Sequence, residues 1–287
     1  MPQRPSDSRF GDACLRLRFR VQQSVTRARG RLRGNGIQAF WYTGRVNFGD
    51  LLTRELLNSF GFTTSYAPLQ DSTVVCVGSV LQVLPEHYSG TILGSGLIAA
   101  KARHFPNARI LGVRGALTRE LIGAPRSTTL GDPGLLAGRL LPCRPSKTFR
   151  VGIVPHYEDK GNQTVRLWSQ KFGSDTFVID VERGPREVLL DIASCSLILS
   201  SSLHGIICAD ALGIPNAWVE FSDRVVGDGF KFADYGTSIS RPLERHRPTG
   251  EESLEELIAW MDAPSGAVSD VAANLESTFL AFRDSFT

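Results

Sequence analysis

The chain has 287 residues, of which 42% are hydrophobic and 21% are charged, and this ordinary globular composition argues against global disorder. The formal net charge of +3 conceals an asymmetry. Residues 1–36 hold nine arginines and two aspartates, and the rest of the chain carries a net charge of −4. A mildly acidic body does not suit a duplex-DNA-binding protein, so no nucleic-acid partner is expected.

Cysteine usage and hydropathy indicate the compartment. The five cysteines are scattered and include no C-x-x-C pair, which is typical of free thiols in a reducing environment. No apolar run approaches the ~18 residues of a membrane-spanning helix, and the N-terminus lacks the apolar core of a signal peptide. We therefore expect a cytoplasmic protein.

Residues 1–36 form a basic leader with apolar residues interspersed among the arginines. The plain interpretation is a solvated or partly helical segment. The sharper alternative is an amphipathic segment that makes peripheral contact with anionic lipid at the inner face of the cytoplasmic membrane. A nucleic-acid-binding arm is the weakest of the three.

Residues 37–142 alternate short apolar runs with helix-like stretches, which predicts a mostly parallel sheet covered on both faces. The predicted strands are Gln38–Tyr42, Thr73–Val77, Thr91–Leu93 and Arg109–Val113, and the predicted helices are Asp50–Phe60 and Ala116–Ile122.

The alternation pauses at residues 141–147, where two prolines predict a linker, and restarts over residues 148–262. The predicted strands there are Arg150–Val154, Thr176–Val181, Leu197–Ser200 and Ala217–Phe221, and the predicted helices are Gln163–Phe172, Arg186–Ala193 and Leu203–Leu212. Closing helices are predicted at Glu251–Met261 and, within residues 263–287, at Val268–Phe282. The sequence thus predicts an α/β protein with two doubly wound domains, whose interdomain cleft is the expected substrate site.

A serine-rich junction stands out at Ser200–Gly205, between a buried strand and an apolar helix. Free N–H groups and the helix dipole at such a junction suit an anion, and Ser201 and Ser202 add hydroxyl donors. His204 would lie in the first helical turn, beside a bound phosphate or carboxylate. The alternative is an N-cap serine and a core histidine.

Other candidates lie where predicted strands end. His156 follows the first strand of the second domain, and Arg114 lies between a strand and a helix with glycine on each side in Gly112-Val113-Arg114-Gly115. An arginine fork suits a carboxylate or phosphate. Lys231 stands between aromatic residues in a segment that is predicted to be a flexible loop. Loop and surface positions are the alternatives, and no metal-ligand spacing accompanies the histidines.

Two further motifs offer polar side chains to the cleft. Asn47-Phe48-Gly49-Asp50 precedes a helix, which Asp50 could simply cap, and Asp132 lies in the turn-like Gly131-Asp132-Pro133-Gly134. Gly94–Ala99 matches G-x-G-x-x-[GA], but it follows a later strand and lacks a suitable ribose-binding acid, so no dinucleotide cofactor is expected.

Together these motifs resemble the polysaccharide pyruvyl transferase family from about residue 40 to residue 235. The matching pieces are Asn47–Asp50, Val77-Gly78-Ser79, Gly94-Ser95-Gly96, Val113-Arg114-Gly115, Gly131-Asp132-Pro133 and Ser201–Gly205. Gly229–Tyr235 is similar to the exopolysaccharide, ketal-forming branch. One departure stands out: several relatives carry arginine immediately before the Leu-His pair, where this chain has Ser202.

The resemblance implies two Rossmann-like domains in a GT-B-like arrangement. It implies phosphoenolpyruvate as donor and a sugar diol of an exopolysaccharide, or of its lipid-linked precursor, as acceptor. The products would be a pyruvate ketal and phosphate, without a metal or redox cofactor. His204 and His156 would then be catalytic, with Arg114, Ser201, Ser202 and Lys231 binding the donor. Asn47, Asp50 and Asp132 would bind the acceptor or shape the cleft.

Two other functions remain open at this point. A GT-B glycosyltransferase with a nucleotide-sugar donor would share the fold, since fold alone does not decide function. A non-catalytic protein that binds glycans or anions would share the cleft without turnover.

Overall fold

A computed structural model of the chain describes the backbone of residues 7–286 and the side chains of residues 19–286. The first element is a long helix, α1 (Asp7–Arg33). The predicted leader is therefore largely helical, although its first six residues lie outside the described part of the chain. No helix within the described residues is both long and apolar enough to cross a membrane.

A six-stranded parallel sheet follows, with strand order β2-β1-β3-β4-β5-β6. Its elements are β1 (Gly36–Phe40), α2 (Phe48–Ser59), β2 (Thr63–Tyr66), β3 (Val74–Val75), β4 (Thr91–Leu93), β5 (Arg109–Val113), α3 (Ala116–Leu121) and β6 (Thr129–Leu130). A 3₁₀ helix at Pro133–Leu140 leads out of this half.

A five-stranded parallel sheet forms the second half, with strand order β11-β10-β9-β7-β8. Its elements are β7 (Phe149–Val154), α4 (Gln163–Phe172), β8 (Thr176–Val178), α5 (Pro185–Ala193), β9 (Cys195–Ser200), α6 (Leu203–Ala211), β10 (Asn216–Val219), α7 (Phe230–Ser238) and β11 (Arg245–His246), followed by α8 (Leu254–Ala259) and α9 (Ala267–Asp284). Two parallel sheets with helical crossovers confirm the predicted α/β class.

The strand order reverses once in each sheet, beside β1 in the first and beside β7 in the second. At such a switch point the loops leave two adjacent strands in opposite directions and open a crevice at their carboxyl ends. The loops after β1 and β3 border one crevice, and the loops after β7 and β9 border the other. The fold therefore directs four loops toward ligand-binding positions.

Helix α6 joins the halves because it is buried along nearly its whole length. Residues Leu203–Asp210 are all buried, and this helix packs against the 3₁₀ helix at Pro133–Leu140 within a core that both halves share. Helix α9 crosses back to the first half, where the Phe279 ring packs against the Phe60 ring with centroids 4.9 Å apart. The Phe48 N–H also donates to the Val181 carbonyl at 2.9 Å. These contacts fix the position of one half against the other.

The expectation of a flexible loop around Lys231 is wrong. Residues Gly227, Asp228 and Gly229 adopt positive φ of 104°, 41° and 79°, and α7 begins directly after them. The Phe232 ring stacks on Trp218 with centroids 4.2 Å apart, so packing holds the first helical turn that carries Lys231. The two glycines tolerate the left-handed backbone that this abrupt start requires.

Candidate active site

A cavity of about 260 Å³ lies at the carboxyl ends of both sheets, where the four switch-point loops meet. The first half contributes aromatic and polar residues from the loops after β1 and β3, and the second contributes two histidines and the start of α6. The lining residues are Phe40, Tyr42, Asn47, Asp50, Gly78, Ser79, Val80, Val83, Ile98, His156, Tyr157, Ser202, Leu203, His204 and Lys231. Since both halves supply polar groups, the cavity is the candidate active site.

His204 lies in the first turn of α6, against the first turn of α2 from the other half. A Cβ at Gly49 would lie only 2.1 Å from His204 Nδ1, so glycine is required there for the imidazole to fit. On the far side, His204 Nε2 lies 4.0 Å from Asp132 Oδ2. Neither of these two buried atoms has a hydrogen-bond partner within the described residues.

Asp132 is held in place by its other oxygen. Its Oδ1 accepts from Gly134 N at 2.8 Å and so caps the 3₁₀ helix. Burial raises the pKa of this carboxyl to about 6, although the Gly134 hydrogen bond and the charge of Arg114 partly offset the effect. Asp132 therefore aims a fixed oxygen at the imidazole instead of facing the cavity.

Both cavity histidines are neutral in the free protein. Burial lowers the pKa of His204 to about 3, and the positive charges of Lys231 and Arg114 add to the effect. Burial also lowers the pKa of His156 to about 3, with Lys231 and Arg45 contributing. An anion in the cavity would reverse the contribution of the cations and raise both pKa values.

His156 is oriented by its own loop. Its Nδ1 accepts from Glu158 N at 3.2 Å, which leaves Nε2 as the protonated nitrogen of the neutral ring. The His156 backbone N–H donates to Ser201 Oγ at 2.8 Å, and that hydroxyl donates to buried Asp159 at 2.6 Å. Ser201 thus positions the His156 loop and does not line the cavity, whereas Ser202 does.

Lys231 and Asp50 are the charged groups that line the cavity. Lys231 is only 9% exposed, and burial together with the charge of Arg114 lowers its pKa to about 8. Burial raises the pKa of Asp50 to about 7, with Lys231 opposing the shift. Helix α2, which carries Asp50, is capped by Asn47, whose Oδ1 accepts from Gly49 N at 3.1 Å. The alternative of Asp50 as a simple cap is therefore wrong.

Arg114 lies one layer behind the cavity and is fully buried. Its guanidinium donates to Asp234 at 3.0 Å, to Ser79 Oγ at 2.8 Å and to the Leu97 carbonyl. Asp234 also accepts from the backbone and hydroxyl of Thr118. Arg114 is thus not a surface arginine, and it reaches the cavity through Ser79 and through its charge.

The glycines of the sequence motifs make room for Arg114. A Cβ at Gly96 would meet the guanidinium carbon at 2.4 Å, and a Cβ at Gly115 would meet the Asp234 carbonyl oxygen at 1.8 Å. The Gly94–Ala99 segment is followed by irregular chain and not by the helix that a dinucleotide fingerprint opens. This motif is therefore explained by packing around an arginine.

Six of the nine predicted site residues meet in the cavity: Asn47, Asp50, His156, Ser202, His204 and Lys231. Ser201, Arg114 and Asp132 lie immediately behind it. Three further lining residues were not predicted from the sequence, namely Tyr42, Ser79 and Tyr157, although Ser79 ends a motif and Tyr157 adjoins His156. Within the described residues, no group of three or more His, Cys, Asp or Glu side chains is arranged to hold a metal ion.

Comparison with known proteins agrees with this site. The family model for polysaccharide pyruvyl transferases matches residues 47–223, which include Asn47, His156 and His204. The chain is 37% identical over 158 residues to uncharacterized protein L143 of Acanthamoeba polyphaga mimivirus. The aligned region spans 50% of this chain and about half of that protein, 53%. The chain is 27% identical over 228 residues to succinoglycan biosynthesis protein ExoV of Rhizobium meliloti (strain 1021), covering 76% of this chain and 70% of that protein. The chain belongs to the polysaccharide pyruvyl transferase family.

Proposed function

We propose that this protein transfers a pyruvyl group from phosphoenolpyruvate to a sugar diol of an exopolysaccharide or of its lipid-linked repeat unit. A cyclic pyruvate ketal forms and phosphate is released. Family membership and the similarity to a succinoglycan biosynthesis protein support this proposal. The observation that carries it is one cavity in which a buried lysine and a helix N-terminus adjoin two neutral histidines.

The two halves act in this proposal as Rossmann-like domains, residues 37–142 and 148–262, in a GT-B-like arrangement. Residues 1–36 are the basic leader, which contains α1, and residues 263–287 are the closing segment, which contains α9. The shared packing of α6 and the return of α9 to the first half support a cleft of defined geometry. Substrates would enter between the carboxyl ends of the two sheets.

The donor needs two cationic or N–H-rich positions, one for its phosphate and one for its carboxylate. Lys231 and the N-terminal turn of α6, with Ser202, supply one such region, because the first N–H groups of a helix have no partner within it. Arg114 adds positive charge from behind Ser79, whose hydroxyl it holds at 2.8 Å. Ser201 supports donor binding by fixing the His156 loop.

His204 is the proposed general acid. The reaction adds a proton to the methylene carbon of the donor, joins a sugar oxygen to C2 and releases phosphate when the second sugar oxygen closes the ring. Of the two hydroxyl protons lost, one balances the new methyl group and the other leaves with phosphate. A histidine close to the donor suits the proton transfer to carbon.

Donor binding itself would activate His204. In the free protein, burial and then the charges of Lys231 and Arg114 depress its pKa, and the negative charges of phosphoenolpyruvate would offset the contribution of the two cations. Asp132, aimed at Nε2 from 4.0 Å, would then stabilise the imidazolium. Donor binding would therefore raise the pKa of His204 and favour its protonated, acidic form.

The acceptor would lie against Asn47 and Asp50, which line the same cavity. The aromatic side chains of Phe40, Tyr42 and Tyr157 also line the cavity, and flat apolar faces suit a sugar ring. With a pKa near 7, Asp50 can accept a proton from a sugar hydroxyl. His156 is the second group for proton transfer at the acceptor.

The test is a reaction with phosphoenolpyruvate, a saccharide acceptor and no nucleotide-sugar. Acceptor-dependent release of phosphate supports pyruvyl transfer. Turnover that requires a nucleotide-sugar would identify a glycosyltransferase, and saccharide binding without any turnover would identify a non-catalytic protein. Either of these last two outcomes would overturn the proposal.

We also propose a cytoplasmic location with peripheral contact to the inner face of the membrane. A lipid-linked acceptor would be presented there, and the arginine-rich segment of residues 1–36 is suited to anionic headgroups.

A further inference from the structure

Helix α1 docks on the body of the protein through its polar side. Gln23 Oε1 accepts from Tyr66 N at 2.6 Å, and Arg27 donates to the Tyr66 carbonyl at 2.7 Å. Tyr66 belongs to β2, the edge strand of the first sheet, so these two side chains replace a neighbouring strand. Gly30 completes the docked side, because a Cβ there would lie 2.6 Å from Gly36 Cα.

The side of α1 that faces away from the body is apolar. Val21, Val25, Ala28 and Leu32 are spaced by four, three and four residues, which aligns them along one line of an α-helix. Val21 is 56% exposed, Val25 is 46% exposed and Leu32 is 89% exposed. This arrangement inverts that of an ordinary surface helix, whose apolar side faces the core.

Arginines border this apolar stripe on both sides. At 3.6 residues per turn, Arg20 and Arg31 follow one flank, and Arg29 and Arg33 follow the other. All four are exposed, and residues 19–33 contain no acidic residue. An apolar stripe between two basic flanks is the pattern of a helix that lies in the plane of an anionic membrane surface.

The same charges disfavour a second copy of the chain as the occupant. Two such helices packed along their stripes would bring basic flanks together, residues 19–33 offer these flanks no acidic side chain, and like charges repel. An anionic lipid surface instead supplies complementary charge for the flanks and an apolar layer for the stripe.

The stripe also lies on the element that reaches the cavity. Helix α1 precedes β1 and runs back along the sheet, so that Phe19 contacts Tyr66 at the carboxyl end of β2, with ring centroids 5.7 Å apart. The Tyr66 ring also contacts Phe40, with centroids 6.1 Å apart, and Phe40 lines the cavity. A membrane bound along α1 would therefore adjoin the edge of the molecule where the cavity lies.

We infer that α1 binds anionic membranes through the stripe of Val21, Val25, Ala28 and Leu32 and its flanking arginines. The purpose of this contact, which is to bring the cavity to a lipid-linked acceptor, rests on the proposed function. The contact itself depends only on α1.

The experiment is co-sedimentation of the full chain with vesicles of phosphatidylcholine alone or mixed with phosphatidylglycerol. The stripe variant combines Val21→Ser, Val25→Ser and Leu32→Ser. Its matched control combines Leu167→Ser, Val178→Ser and Leu190→Ser, three exposed apolar residues elsewhere. The flank variant combines Arg20→Gln, Arg29→Gln and Arg31→Gln, matched by Arg126→Gln, Arg150→Gln and Arg166→Gln, three exposed arginines of the body.

We expect binding to the mixed vesicles only, weakened by salt. The stripe variant should bind at least about tenfold more weakly, and the flank variant up to about 100-fold more weakly, while both controls bind normally. Equal binding by variants and controls overturns the inference, as does a stripe variant that changes only the oligomeric state measured by light scattering.

Turnover with a lipid-free saccharide separates this inference from the proposed function. Stripe and flank variants should retain that turnover. Vesicle binding without any pyruvyl transfer would contradict the proposed function alone, and pyruvyl transfer without vesicle binding would contradict this inference alone.

Discussion

His204 and Asp132 face each other across the boundary between the two halves, with Nε2 4.0 Å from Oδ2. Each atom is buried without another partner in the described structure. An unsatisfied buried polar pair costs free energy, so a direct hydrogen bond between these two atoms would be favourable. A small movement on donor binding would close the gap into an ion-paired hydrogen bond.

His204→Gln should lower acceptor-dependent phosphate release by at least about 100-fold, because general acid–base groups contribute ~10²–10⁴-fold in rate. Glutamine keeps much of the imidazole volume but cannot exchange a proton. The matched control is His87→Gln, at an exposed position outside the cavity, which should turn over normally. Near-normal turnover by His204→Gln, with both variants folded, would remove the role of general acid.

Asp132→Asn tests whether Asp132 orients His204 and stabilises its protonated form. Asparagine can still accept from Gly134 N, so the cap of the 3₁₀ helix is retained, but the negative charge near Nε2 is lost. We expect turnover to fall about 10–100-fold, since one charge-stabilising contact is removed. Without that charge the imidazolium is less stable, so the loss of kcat with rising pH should begin at lower pH.

A structural role alone would give a different result for Asp132→Asn. The variant would then have a lower free energy of unfolding and an unshifted kcat–pH profile. Urea unfolding and the pH profile, measured on the same preparation, distinguish the two outcomes.

Lys231→Met should raise the KM for phosphoenolpyruvate about 10–100-fold, because it removes a buried positive charge that lines the cavity. The kcat should change less, and the KM for the saccharide should change little. Lys101→Met removes an exposed lysine outside the cavity and serves as the control. An unchanged donor KM in Lys231→Met would contradict the assignment of Lys231 to the donor.

Arg114→Met should instead be dominated by lost stability. It leaves Asp234 as an unpaired charge in a fully buried position, and breaking a buried pair in this way typically costs about 3–5 kcal/mol. The free energy of unfolding in urea is therefore the first measurement, and the donor KM of the folded fraction is the second. An unchanged donor KM would confine Arg114 to a structural role.

Asp50→Asn should stabilise the protein above neutral pH while impairing acceptor use. The folded pKa of Asp50 is about 7, above its ordinary value of 3.8, so the folded state holds the extra proton between these pH values. That stabilising protonation is complete below pH 3.8 and is lost as the pH rises through 7. Asparagine avoids the burial of a carboxylate, and the gain should reach roughly 1–4 kcal/mol at about pH 8.

Urea unfolding across this pH range checks the Asp50 prediction. The difference between Asp50→Asn and the unsubstituted protein should vanish near pH 4 and grow toward pH 8. A difference that does not change with pH would mean that Asp50 titrates normally in the folded state.

Much of the site could be predicted because it lies where strands end. The β-branched and apolar runs of β7 and β9 mark their ends clearly, and His156 and Ser202 lie two residues beyond these ends. Since carboxyl ends of parallel strands meet at one edge of a sheet, these residues were expected together. The short strands β2, β6 and β11 were missed, because two to four residues carry too little periodicity.

Burial across the two halves was not predictable from local patterns. Arg114 is buried by Asp234, which lies 120 residues later in the chain, and no local signal connects them. The glycines before Lys231 predict a loop, whereas Lys231 lies in α7, whose first turn is held by the stacking of Phe232 on Trp218. The sequence also did not show that the apolar side of α1 faces outward, since contacts with β2 determine which side of the helix docks.

The most direct test of the proposed function is mass spectrometry of saccharides after incubation with the purified full chain and phosphoenolpyruvate. A panel of lipid-linked and free oligosaccharides that carry vicinal or 4,6-diols serves as acceptor, without metal or nucleotide-sugar. The account predicts that at least one acceptor gains the mass of one ketal-linked pyruvate, with one phosphate released per ketal and with His204→Gln inactive. Phosphate release without any pyruvylated saccharide, or pyruvylation that His204→Gln retains at full rate, would contradict it.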